Sequence, residues 1–116
     1  MINLPVDYAY AFDYFAILEI KYVKNIIPRN TFAEVAGAIA AQVGNKTFMQ
    51  IINSAEYANL HTANSKTFDA VDKAKKDEVK ASYVDQCNTE RFLAKRALQK
   101  KFFPEYDLKE IKMESI

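Results

Sequence analysis

Between residues 6 and 24 the chain reads VDYAYAFDYFAILEIKYVK, with no glycine inside it and Pro5 just before it. Placed at about 100° per residue, Leu18, Ala11, Tyr22, Phe15, Tyr8, Phe12 and Val23 fill one broad side. Ala16, Ala9 and Ile20 extend that side, while Ile17, Tyr10 and Tyr14 lie on the remaining arc, broken by Asp13, Lys21 and Lys24. A helix apolar nearly all round is either central or covered by a partner. The pattern predicts both roles for this helix, and the plainer reading leaves Tyr10 and Tyr14 as exposed tyrosines. Asp7 suits its N-cap, where a side-chain oxygen accepts from first-turn backbone donors.

The pattern changes on either side. Residues 2–6, INLPV, alternate at period two, as in a short edge strand that tolerates proline. Proline disfavours helix at the residue before it, so Ile26-Ile27-Pro28 closes the first helix. Thr31-Phe32-Ala33-Glu34 has capping-box spacing and is expected to open a slim, alanine-rich second helix ended by Gly44. Thr47 is expected to cap a third segment at FMQII, and Ser54 a fresh one.

From Ala55 to Phe103 there is neither proline nor glycine. One helix of that length is unusual in a small domain, so a turn is expected near residues 75–78, with Asp77 starting the next helix. A hairpin centred on Lys76 would oppose Leu60 to Phe92, Asn64 to Asn88 and Phe68 to Val84. Its seam would be Tyr57, Leu60, Asn64, Phe68 and Val71 against Val84, Asn88, Arg91, Ala94 and Leu98. Pro104 ends the last helix. The stretch 105–116 is polar, with Leu108, Ile111 and Met113 as anchors, and can form a strand beside residues 2–6.

Composition supports this outline. A chain of 116 residues is one domain's worth, and two glycines with three prolines favour long helices over many turns. The expectation is a single all-α domain over 1–116. It is a helical bundle built on a long antiparallel helix hairpin, with the terminal segments as a small two-stranded sheet. A net charge of +1 argues against a broad nucleic-acid surface. The lone Cys87 cannot form an internal disulfide, which suits a reducing compartment. No apolar run is long enough to span a membrane and no signal pattern is visible, so the expected location is cytoplasmic.

Certain residues also resemble a small bacterial and phage family. They are ILEIK at 17–21 after an apolar-Pro-apolar segment and Asp13, then Leu60, Asn64, Phe68, Asp69 and Asp72. Asn88, Arg91 and Lys95 follow, and Leu108, Glu110 and Lys112 complete the set. The family has tryptophan where Phe68 stands, an Asn-Asp pair where this chain has Asn88-Thr89, and a longer connection between its third and fourth helices. It is a domain of unknown function, in bacteria often near genes for surface-glycan synthesis. The resemblance implies a fold outline and marks positions without supplying an activity.

Candidate chemistry is sparse. Glu19 falls among Phe12, Phe15, Tyr22 and Val23 on the wheel, and an ionised carboxylate there needs a partner. Arg91 offers a planar fork, and Asn64 and Asn88 can satisfy the remaining groups. The expected network is therefore Glu19, Asn64, Asn88 and Arg91, fixing helix register. Its functional alternative is an anionic-ligand pocket using Arg91 and Lys95. Asp69-x-x-Asp72 is one acidic pair where a magnesium site needs about four carboxylates. His61 has no second histidine or thiol near it in sequence, and Cys87 has no assignable base, so neither a metal nor a cofactor is expected. Lys95, Arg96, Lys100 and Lys101 complement the last helix's dipole. The sequence reads best as a non-catalytic interaction or accessory module that forms a homodimer through helix 1 or helix 2. The alternative is a binding domain or enzyme for a nucleotide or sugar phosphate at Arg91 and Lys95.

Overall fold

Five helices follow one another in the computed structural model, which describes residue 2 and residues 4–106. They are α1 (Tyr8–Val23), α2 (Arg29–Val43), α3 (Asn45–Ile52), α4 (Ala55–Lys75) and α5 (Ala81–Phe102). The protein is an all-α bundle in which α4 and α5 form a long hairpin and α1 packs against α2, α4 and α5. The central position expected for the first helix is observed. Its Phe12, Phe15, Ala9 and Ala16 meet Ile39 of α2, Phe48 and Ile51 of α3, Tyr57 and Leu60 of α4, and Leu98 of α5. Aromatic rings carry much of this core: Phe15 stacks on Phe32 at 4.9 Å, and Tyr22 stacks on Phe32 at 5.4 Å. Fully burying each such side chain contributes about 1.5–3 kcal/mol.

Among the described residues there is no strand, and residues 4–7 run as irregular chain with Leu4 and Val6 largely exposed. The other half of the expected terminal sheet falls on residues 107–116, outside the described residues. At residues 4–6 the alternation instead lets Leu4, Pro5 and Val6 wall one side of a groove against α1 and α2.

Helix starts differ from the capping signals in three places. Pro28 is the N-cap of α2, and Thr31 lies inside the first turn, where its N–H is taken by Asn30 Oδ1 at 3.0 Å. Proline's restricted φ suits the extended cap, so the helix begins ahead of the capping-box threonine. Gly44 both ends α2 and caps α3, at φ 91°, a conformation open to glycine, which places the α3 start ahead of Thr47. Asp77 lies in the turn, and α5 opens after Lys80. Ser54 caps α4 as its sequence suggests, with Oγ accepting from Tyr57 N–H at 3.1 Å.

Two helix ends share one device. Asn25 N–H donates to Tyr22 O and Ile26 N–H to Lys21 O, with Asn25 at φ 60°. Asp77 N–H donates to Ala74 O and Glu78 N–H to Lys73 O, with Asp77 at φ 58°. Both are Schellman ends in which a short polar side chain stands where glycine is commonest. The second sets the register of the hairpin. Glu78 lies midway between the last residue of α4 and the first of α5, two residues beyond Lys76. Lys66 therefore meets Glu90, Nζ to Oε2 at 2.9 Å, and the Asn64–Asn88 pairing is lost.

Candidate functional site

The acid at the centre of the bundle is Asp13. It is 3% exposed and sits on the arc of α1 that carries Tyr10 and Tyr14. Arg91 donates from Nε to Oδ1 at 3.1 Å and from Nη2 to Oδ2 at 2.6 Å. Asn64 Nδ2 donates to Oδ1 at 2.8 Å, and Lys95 Nζ stands 3.1 Å from Oδ2. Arg91 and Lys95 are one helical turn apart on α5, so a single carboxylate can engage both. Lys95 is 2% exposed, and its ammonium lies 4.7 Å from the centre of the Tyr10 ring, a cation–π contact within the same chain.

Burial pushes the Asp13 carboxyl up. The Arg91 hydrogen bonds, the charges of Lys95 and Arg91 and the Asn64 hydrogen bond outweigh that, leaving it below its usual 3.8. Each carboxylate oxygen thus takes two donors, and the anion is held in its charged form. Such a group is poorly placed to attack a substrate or to accept its proton. What the arrangement does is tie α1, α4 and α5 at one point.

Of the residues expected at the site, Asn64, Arg91 and Lys95 meet, but around Asp13 rather than Glu19. Glu19 is half-buried six residues further along α1, about 9 Å along the helix axis. Its Oε1 accepts from Tyr57 Oη at 3.1 Å and lies 3.1 Å from His61 Nε2. Burial, with the charge and hydrogen bond of Glu19, raises the Tyr57 phenol above its ordinary value. Asn88 is half-buried on α5 and makes no hydrogen bond with the cluster. Val71, assigned to the seam, is 37% exposed.

Gln99 is a further buried polar residue that the hydrophobic pattern misses. It is 1% exposed, its Oε1 accepts from Ala9 N–H at 2.9 Å, and its Nε2 donates to Tyr106 O at 3.3 Å. It serves as a remote cap for the first turn of α1. The available signal was its spacing: Arg91, Lys95 and Gln99 recur every four residues on one face of α5. The same end is closed by Tyr8 stacked on Phe103 at 4.1 Å.

Asp69 lies 3.9 Å from Lys24 and Asp72 lies 3.2 Å from Lys76, both at the surface. Among the described residues no cluster of three acids, histidines or thiols could hold a metal ion. Cys87 is buried and free. Among these residues no helix is long and apolar enough to cross a membrane.

Depressions lined by the described residues include two of note. A groove of about 250 Å³ runs along α1 and α4 over Ile17, Phe68 and Val71, with Arg91 and Lys75 in its wall. A larger one, about 720 Å³, lies between residues 4–8, α1 and α2, with Ile39 and Val43 on one side and Tyr106 at its edge.

No protein-family model, curated protein or solved structure matches this chain. The family resemblance described above therefore stands on the quoted residues alone.

Proposed function

We propose that this chain is a non-catalytic helical interaction module that works by self-association. The observation that carries the reading is the apolar surface around the larger groove. Leu4 is 69% exposed and Val6 57%, while Tyr8 and Tyr106 stand partly exposed on the same rim. Contiguous apolar surface of this kind marks sites of protein contact. The polar cluster supports the same reading, because Asp13 is fully occupied in holding helices together. Sedimentation velocity or light scattering over a broad concentration range tests it. A dimer mass is expected, and a monodisperse monomer at the highest concentration overturns it.

A second reading has one observation in its favour. Arg91 walls the smaller groove, so an anionic metabolite such as a nucleotide or sugar phosphate could be held there. Lys95 lies behind Asp13 at 2% exposure, which leaves it badly placed to join in. A thermal-shift screen with such anions, with and without magnesium, separates the readings, since a ligand bound to the native state raises its Tm. A saturable shift abolished by Arg91→Lys would favour the second.

A further inference from the structure

We infer that the self-associating surface is the groove between residues 4–8, α1 and α2, and that its occupant is the same segment of a second copy. This rests on the self-association proposed above and specifies where it occurs. The molecule carries both halves of a complementary pair. Leu4 and Val6 are largely exposed on one lip of a groove of about 720 Å³, and Ile39 and Val43 stand in its opposite wall. Prongs and groove on one molecule satisfy each other across a two-fold axis, where the same patch serves both copies.

Area agrees with this. Ile2, Leu4, Val6, Tyr8 and Tyr106 are 83%, 69%, 57%, 39% and 52% exposed. Together they leave on the order of 600 Å² per copy, and two copies reach the lower edge of specific interfaces, ~1,200 Å² in total. Pro5 adds a limit on how the copies meet. It has no N–H to donate and a fixed φ, which disfavours a backbone ladder from chain to chain. A closed pair is the expected product. The other exposed apolar residues of α1, Tyr14 and Val23, lie further along the helix, outside the groove lining.

The test uses the full chain. Leu4→Asp with Val6→Asp should weaken association at least tenfold by sedimentation equilibrium while the circular dichroism spectrum is unchanged, since neither side chain is in the core. Mixing a Leu4→Cys protein with a Val43→Cys protein under mild oxidation should give the mixed disulfide. A Val23→Cys control paired with Val43→Cys should not. If the wild type dimerises but the double aspartate variant dimerises equally well, the surface is wrong and self-association stands. If the wild type is monomeric throughout, both fall. Cross-linking at Val23 as efficient as at Leu4 also overturns the groove assignment.

Discussion

Arg91 holds both carboxylate oxygens of Asp13, at 3.1 and 2.6 Å, across seventy-eight residues of sequence. Lys95 and Asn64 close the remaining approaches to the same carboxylate. Removing the acid therefore leaves two cations with their shared partner gone, one of them buried. Asp13→Ala is expected to cost about 3–5 kcal/mol in urea unfolding. The triple change Asp13→Leu, Arg91→Met, Lys95→Met should recover most of that, because it removes the charges together with their desolvation cost. A loss below about 1 kcal/mol for Asp13→Ala would show that the cluster contributes little.

The same carboxylate predicts an acid dependence. Its folded pKa lies below the usual 3.8, so its contribution is fully present above the unfolded value and is lost as pH falls through the folded one. The stability gap between wild type and Asp13→Asn should be widest near neutral pH and shrink on acidification below about pH 4. A gap that stays constant or widens in acid contradicts the assignment. Thermal melts of the two proteins across this range supply the measurement.

Gln99 reaches from α5 to the first turn of α1, where helix donors lack partners of their own. Gln99→Leu keeps the bulk but frees the Ala9 N–H, with an expected loss of about 1–2 kcal/mol. Hydrogen exchange at Ala9 should accelerate in the variant more than exchange in the middle of α4. Unchanged protection at Ala9 would show that the cap is idle.

Asp77 stands at φ 58° in the turn of the hairpin, where glycine carries no steric cost. Asp77→Gly is expected to leave stability unchanged or raise it by about 0.5–1 kcal/mol, and Asp77→Val to lower it by about 1–2 kcal/mol. Equal midpoints for the two variants in denaturant would rule out the left-handed conformation.

Why the architecture could be read and the register could not follows from particular residues. Scarce glycine and proline, the Ser54 cap and the Pro104 stop all act locally, and they place α4 and the end of α5 well. The turn between them lies near residues 75–78 as expected, but its exact centre and the start of α5 at Ala81 escaped, because a helix ended by Asp77 lacks its usual glycine signal. Two residues of displacement sufficed to separate Asn64 from Asn88. Glu19 looked like the buried acid because the wheel of α1 ranks faces by hydrophobicity. The tyrosine arc that carries Asp13 reads as the weaker face, yet α5 covers it at Tyr10 and Asp13, with Lys95 packed over Tyr10, and leaves Tyr14 exposed. Which face a neighbour covers is a property of tertiary packing, and one helix's periodicity does not contain it.

Both cations that hold Asp13, and the Gln99 cap at Ala9, come from α5. On a ribosome adding about 5–20 residues per second, Arg91 is made roughly 4–16 s after Asp13. Through that interval the acid has Asn64 as its earliest partner among the three, and a chain arrested before residue 91 cannot hold it with either cation. The nascent protein therefore spends seconds with its central acid held by neither cation, and both arrive together with α5.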